Sequence, residues 1–434
     1  MRSLLFAVLA ASLLGLGPGR AAAEPLNEEL AGLLTTHPEV RARMETAEAA
    51  REGVRRAKAG YLPKLDVFGE TGPQYIDSPV LESEGGGTWT SISQVAGARM
   101  TQRLFDGFAT PSQIRQARLN LEVAEFTFDG IRQNVLMTGI ESYVEVLRQS
   151  RLVALARDSE RTIMRQLHLE DERVQRGSGI AVDVLQAKSR LQLAKERRIG
   201  FDGALADAMA RYVQVFDHAP QLSTMRDPRP PEELIPPELS AALALARQEN
   251  PAIDSSLATV AVAEERRRQA RSEYYPSVNL VASANRENDT DLVQGTRTDM
   301  SVVMSATWNL FNGFATDASV KQASHEFVAA QRNNDGVIRQ VEQQTRLAWN
   351  ERTTARERVD LLENAVAIAA EVFDARQKLR EAGRETVINV LDAENEVYNA
   401  RINLIQASGD LRLASYHLLQ GIGRLGPAEL GLTP

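Results

Sequence analysis

Toward the middle of the second half, the chain alternates. Val278, Leu280, Ala282 and Ala284 are apolar, whereas Ser277, Asn279 and Ser283 between them are polar. Further on, Met300, Val302, Met304, Ala306, Trp308 and Leu310 alternate with Ser301, Val303, Ser305, Thr307 and Asn309. A period of two predicts two β-strands, each with one apolar and one mostly polar face. The polar stretch between them, Asn285–Thr298, reads as the hairpin's loop. A first hairpin is predicted from strands at about 64–76 and 89–104, joined by a stretch containing Gly85-Gly86-Gly87.

Elsewhere the period is helical. Amphipathic helices are predicted at about 27–60 and 240–273. His37-Pro38 and Asn250-Pro251 interrupt them near their starts, because proline lacks a backbone donor and restricts the residue before it. From Gly107 to Gly177 and from Gly313 to Gly383 almost nothing breaks a helix, the one proline, Pro111, falling in a first turn. Helices over about 109–176 and 315–382 would each be on the order of 100 Å long. Leu121, Ala124, Phe128, Ile131 and Val135 give the first an apolar seam at alternating three- and four-residue spacing, as in a coiled coil. Gly130 and Gly336 are candidate bend points. Shorter return helices are predicted at about 182–217 and 387–421.

These elements come in two copies. Leu104-Phe105-Asp106-Gly107-Phe108-Ala109-Thr110 returns as Leu310-Phe311-Asn312-Gly313-Phe314-Ala315-Thr316, and Asp183-Val184-Leu185 as Asn389-Val390-Leu391. Upstream, Pro38, Glu52, Arg55, Tyr61 and Pro63 match Pro251, Glu265, Arg268, Tyr274 and Pro276, the first copy carrying seven extra residues in its hairpin. A unit of about two hundred residues is too long for a short-period solenoid and marks a duplication. The first copy spans 24–218 and the second 240–423. A proline-rich connector at 219–239 joins them, and a tail follows at 424–434.

Residues 1–23 read as a secretory signal, with Arg2, the apolar stretch Leu4–Leu16 and the small-residue site Ala21-Ala22-Ala23. The formal net charge is −8, and loss of Arg2 and Arg20 makes the exported chain more acidic, which disfavours nucleic-acid binding. Cysteine is absent, which removes disulfides and a lipid-anchoring cysteine alike. The five histidines (His37, His168, His218, His325, His417) lack metal-ligand spacing, and no nucleophile elbow is present. An enzyme, a bound cofactor and a metal site are not expected.

Four strands cannot close a barrel, since small closed barrels have about eight. In lipid an open sheet edge is forbidden, so apolar faces looking at lipid require several chains to pool strands; three chains would supply twelve. The open alternative is a soluble β-sandwich on a helical stalk.

At this point the chain resembles the TolC family of outer-membrane channel-tunnel proteins, the outer membrane efflux protein family, over nearly its whole exported length. The marks are the duplicated helix–hairpin–long helix–helix layout, Tyr-x-Pro entering each hairpin, Leu-Phe-Asp/Asn-Gly leaving it, and a glycine turn followed by Asp183-Val184-Leu185-Gln186-Ala187 or Asn389-Val390-Leu391-Asp392-Ala393. The resemblance implies a mainly α protomer with a β-barrel part. A homotrimer would form a twelve-stranded outer-membrane barrel in lipid and a periplasmic α-helical tunnel pinched at its inner end. It implies an exit duct working with a periplasmic adaptor protein and an inner-membrane ABC transporter or proton-driven pump. The motif details look most like members serving type I protein secretion. The alternatives are small-molecule or metal efflux, or, from another class, a soluble periplasmic coiled-coil adaptor or scaffold.

The resemblance also implies sites. Aspartates ring the closed pore in the family, and the matching positions are Asn389 and Asp392, with Asp183 and Gln186 as equivalents in the first copy. Asn389 lacks the usual acid. Asp183 and Asn389 could instead cap the returning helix, for which both residue types are preferred. Adaptor docking falls at the helix tips, Arg176, Gly177, Ser178 and Gly179 with Ala382, Gly383, Arg384 and Glu385. Arg176 and Ala382 stand where the family often has valine.

Overall fold

The computed structural model describes residues 25–79, 87–177 and 180–432. The expected signal, Gly85-Gly86 of the first hairpin's loop, and the tip residues Ser178 and Gly179 lie outside the described residues. Each copy opens with two helices rather than one interrupted helix: α1 (Pro25–Thr36) and α2 (Pro38–Lys58), and α5 (Leu239–Glu249) and α6 (Pro251–Ser272). The break is complete because the residue before each proline becomes an N-cap. His37 Nδ1 accepts from the Glu39 amide at 3.3 Å, and Asn250 Oδ1 from the Ala252 amide at 2.9 Å.

The hairpins are β1 (Lys64–Asp77) with β2 (Thr88–Asp106), and β3 (Ser277–Thr290) with β4 (Val293–Thr307). They join through β2 and β3 into one antiparallel sheet of order β1-β2-β3-β4, with Ala98 opposite Ala284 and Met100 opposite Ala282. Asn285–Thr298 is not a loop. Asn285, Arg286, Glu287 and Asn288 pair with Asp299, Thr298, Arg297 and Thr296, and the hairpin turns only at Asp291 and Leu292. Hydropathy alternation reports what a face touches. The ladder itself needs only backbone, and here a Glu287–Arg297 ion pair at 2.6 Å crosses the strands. At the other end β4 stops at Thr307 rather than Leu310. β2 runs on to Asp106 because Asp106 still has Ser277 beside it, whereas no strand residue pairs with the chain after Thr307.

The repeated heptapeptide makes the turn from strand to long helix. Gly107 and Phe108 both take positive φ (65° and 70°), as do Gly313 and Phe314 (66° and 65°). A Cβ on Gly107 would lie 2.3 Å from the Ser272 carbonyl, so glycine is required there. Asp106 Oδ2 then accepts from the Thr110 amide at 2.8 Å, and Asn312 Oδ1 from the Thr316 amide at 3.4 Å. The turn stacks Phe105 on Phe108 and Phe311 on Phe314 edge to face, both pairs at 5.4 Å.

The long helices α3 (Ala109–Gln175) and α7 (Ala315–Glu381) run through Gly130 and Gly336 without interruption. Each returns as a shorter helix, α4 (Ala181–Phe216) and α8 (Val387–Gly421). The main core lies midway along the long helices. There Leu136, Ile140 and Tyr143 of α3 meet Leu30 and Leu33 of α1, Tyr212 of α4, and Leu418 and Leu419 of α8. A Cβ on Gly139 would come within 2.9 Å of both Leu30 and Leu33, so α1 approaches α3 through that glycine. The connector is strapped to this core: Met225 is buried in it, and the Arg226 amide donates to the Tyr143 hydroxyl at 2.9 Å. The tail is tucked in as well, with Leu425 and Leu432 buried.

Three levels share one lateral order. The sheet runs β1-β2-β3-β4; near it the helices pack as α2-α3-α6-α7; toward the tips they pack as α4-α3-α8-α7. One side of the protomer is thus β1, α2 and α4, all from the first copy. The other is β4 and α7, from the second.

Candidate functional site

Two surfaces follow from this order. On the sheet, Leu65 and Val67 of β1, Met100 of β2 and Ala282 of β3 share a face with Met300 and Val302 of β4. Of these, Leu65, Val67, Met300 and Val302 are exposed. The opposite face carries Asp66, Glu70, Arg99, Asn285, Glu287 and Ser301. The apolar rungs from Val278 to Ala284 cover roughly 20 Å along the strand, comparable to the apolar band of an outer-membrane barrel. Exposed Tyr61, Tyr274, Tyr275, Trp308 and Phe311 crowd the end nearest the helices, as aromatic side chains do at a membrane interface. Trp308 is anchored there by donating from Nε1 to the Tyr274 carbonyl at 3.1 Å.

The second surface is the tip opposite the sheet. In the second copy α7 ends in a Schellman turn at Gly383 (φ 71°), with the Arg384 amide on the Leu379 carbonyl at 2.9 Å and the Gly383 amide on the Arg380 carbonyl at 3.0 Å. Ala382, Gly383 and Arg384 are exposed. In the first copy Gly177 also takes positive φ (78°), with its amide on the Val174 carbonyl at 3.0 Å, and Arg176 is exposed with its guanidinium on Glu172 at 3.1 Å.

Neither Asp183 nor Asn389 is the cap of its helix. Both occupy the third helical position. Ile180 begins α4 without a side-chain bond, and Thr386 caps α8 by accepting from the Asn389 amide at 3.4 Å. Asn389 serves Glu385 instead: its Nδ2 donates to Glu385 Oε1, and the Thr386 amide donates to the same oxygen at 2.9 Å. The Asn389 bond, then the Thr386 bond, hold the Glu385 carboxyl below its ordinary pKa. An acid at 389 would face the Glu385 carboxylate directly. Asp183 and Gln186 are half-buried on α4.

Asp392 is exposed but partnered. Its Oδ1 accepts from Arg190 Nη2 of α4 at 2.7 Å, so the one acid at the second copy's two matched gate positions is paired with a cation from the first copy. One turn further from the tip, Arg197 Nη1 donates to Asn395 Oδ1 at 3.0 Å, and its guanidinium lies 5.7 Å from the Tyr398 ring centre. On the buried side, Ser159 of α3 donates to Glu394 Oε1 at 2.7 Å. Burial pushes the Glu394 carboxyl pKa up, against the Ser159 bond and the charges of Arg197 and Arg401. Nearer the tip, Glu170 of α3, 2% exposed, receives Arg380 Nη2 of α7 at 2.6 Å and Arg173 at 3.2 Å. Arg380 also donates to the Glu385 carbonyl at 2.8 Å.

The sequence reading missed Arg190, Arg197, Glu394, Glu170 and Arg380. Two of them left a signal. Glu394 sits in the register Val387, Val390/Leu391, Val397/Tyr398, and Glu170 continues Ile163 and Leu167; a carboxylate on an apolar stripe requires a buried partner. Among the described residues no cluster of side chains fits a metal ion, and no helix is long and apolar enough to cross a membrane.

The sequence profile described as "Outer membrane efflux protein" matches residues 31–215 and 242–424, one match per copy. The chain is 26% identical to the outer membrane efflux protein BepC of Brucella suis over 94% of this chain and 88% of that protein. It is 27% identical to the alkaline protease secretion protein AprF of Pseudomonas aeruginosa over 92% of this chain and 84% of that one. Among solved structures, the outer membrane protein VceC of Vibrio cholerae superposes with a TM-score of 0.78 at 15% identity, covering 92% of this chain and 96% of VceC.

Proposed function

Because the chain belongs to the outer membrane efflux protein family and is therefore an outer-membrane export channel, we propose that three copies assemble into a continuous duct that forms the exit of a tripartite export system. The observation that carries this reading is the shared lateral order. At every level the first copy supplies one open side and the second copy the other. A head-to-tail contact of unlike sides makes a ring when the rotation between neighbours closes, and three protomers of four strands then give a barrel of twelve. On α7, exposed Leu361, Ile368, Val372 and Leu379 repeat at seven- and four-residue steps along the open side, an apolar seam that needs a neighbouring helix. The apolar face of the sheet then looks at lipid and the polar face at the lumen.

In this reading the tips form the closed inner end. Asp392 with Arg190 ties α8 to α4, Asn389 with Glu385 braces the start of α8, Asp183 and Gln186 belong to the same end of α4, and opening separates α4 from α8. The exposed tip residues Arg176 and Gly177, with Ala382, Gly383, Arg384 and Glu385, receive a periplasmic adaptor that brings an energised inner-membrane transporter. The likeness to a protease secretion protein, AprF, favours type I protein secretion with an ABC transporter. The likeness to BepC keeps efflux by a proton-driven pump as the second reading.

The absence of cysteine makes the test direct. Arg384→Cys is crosslinked in living cells and the captured proteins are identified by mass spectrometry. An adaptor accompanied by an ABC transporter supports secretion, and one accompanied by a proton-driven pump moves the reading to efflux. Capture of neither removes the tip as a docking site.

A further inference from the structure

At the end of the sheet farthest from the helices, β2 outlasts β3. Its pairing with β3 stops at Gln94 opposite Asn288, while its pairing with β1 runs on to Thr88 opposite Asp77. The β3–β4 turn is not left standing beside β2. Positive φ at Asp289 (51°), Asp291 (52°) and Leu292 (68°) swings it sideways. Ser91 Oγ donates to the Asp289 carbonyl at 2.7 Å, and Ser93 Oγ lies 2.8 Å from Thr290 Oγ1. Gln74 of β1 closes the contact twice, donating from Nε2 to Asp291 Oδ1 at 2.9 Å and accepting at Oε1 from the Asp291 amide at 3.2 Å.

Gln74 is two strands away from β3, so the turn reaches roughly 10 Å across the sheet. It does so over one face only. Gln74, Ser91 and Ser93 alternate onto the same side as Glu70, Arg99 and Glu287, the polar side.

We propose that the β3–β4 turn is an inward-folded constriction at the outer mouth of the duct, clasped by Gln74, which sets the cross-section of what can leave. The proposal rests on the reading of the polar face as the lumen. Three turns, one per protomer, then narrow a single opening. The turns carry Asp289 and Asp291, and behind them Arg297 pairs with both Glu287 at 2.6 Å and Asp299 at 3.8 Å, so acids outnumber cations at the narrowed mouth and disfavour anionic cargo. The clasp is two hydrogen bonds to one side chain, which a passing chain could displace.

The test places Ser283→Cys on the polar face, farther from the turn, in the otherwise cysteine-free protein. Intact cells are treated from outside with a small membrane-impermeant maleimide or with a bulky polymer-linked one. The expected result is fast labelling by the small reagent and labelling slower by at least an order of magnitude with the bulky one. Adding Gln74→Ala or Asp291→Ala should remove most of that difference, with unchanged trimer in the outer membrane. Equal labelling by both reagents without the second substitution would overturn the constriction. Continued exclusion of the bulky reagent in both clasp variants would overturn the role of Gln74. No labelling by the small reagent would instead sink the lumen reading on which the proposal stands.

Discussion

The return helices α4 and α8 descend from one sequence and meet opposite fates. Both begin after a glycine turn and both carry the same Val-Leu pair. Within that pair Val184 and Val390 are both buried, but Leu391 of α8 is 2% exposed whereas its counterpart Leu185 of α4 is 65% exposed. The difference lies in lateral position. α8 is enclosed between α3 and α7, while α4 packs mainly on α3 and forms the open side of the protomer. Duplicated segments acquire different chemistry because one copy packs inside the chain and the other faces outward. The polar side chains follow suit: α8 contributes Asp392, Glu394 and Asn395, and α3 and α4 contribute the groups that answer them.

The comparison breaks most sharply with one charge placed in each copy. Leu391→Asp buries a carboxylate without a partner and should cost more than about 3 kcal/mol, seen as loss of folded protein in membranes. Leu185→Asp should change protomer stability by no more than about 0.5 kcal/mol while lowering the yield of trimer on native gels. Equal losses of folded protein in the two variants would erase the distinction between an internal and an open helix.

Next in size is the tie between the two tips. Arg380→Ala leaves Glu170 buried with Arg173 as its remaining partner, so the loss should fall near 2 kcal/mol, short of the ~3–5 kcal/mol of an abandoned buried charge. Adding Glu170→Gln should restore part of the melting temperature. A double variant no more stable than Arg380→Ala alone would show that the pair is not coupled.

A smaller effect concerns pH. The folded-state pKa of Glu394 is raised above its ordinary 4.5 by burial, so the folded protein holds that proton more tightly than the unfolded chain. The resulting stabilisation is complete below the ordinary value and is lost as pH rises through the folded one. Charged neighbours Arg197 and Arg401 oppose the shift, and Arg190 lines the same small cavity as Ser159 of α3. Melting temperature should therefore fall across that window in the native protein. In Glu394→Gln, which keeps a group for Ser159, the fall should be reduced; an unaltered profile would assign the pH dependence elsewhere.

The smallest change in stability belongs to Asp392→Ala, at about 0–1 kcal/mol for an exposed pair. Its readout is conductance: freeing Arg190 from α8 should raise single-channel conductance or reduce cation selectivity in a planar bilayer. Unchanged recordings would remove Asp392 from the gate.

Much of this protein was legible locally. The period-two stretches, the long runs free of helix breakers and the duplicated Leu-Phe-Asp/Asn-Gly-Phe-Ala-Thr gave the strands, the paired helices and their order. Those features act over a few residues, through backbone conformation and the face a side chain shows. The polar continuation Asn285–Thr298 reads as loop for the same reason, since alternation of hydropathy fades where both faces are wet although the backbone ladder persists. Also hidden was every pairing between the copies: Arg190 with Asp392, Ser159 with Glu394, Glu170 with Arg380, and Gln74 with Asp291 are each contacts between segments about two hundred residues apart. The sequence by itself determined the elements, their duplication and the membrane-compatible face. Only the tertiary structure decided which copy lies inside and which stays open, and so which charges meet, because that depends on the lateral order in which the helices pack and no local periodicity encodes it.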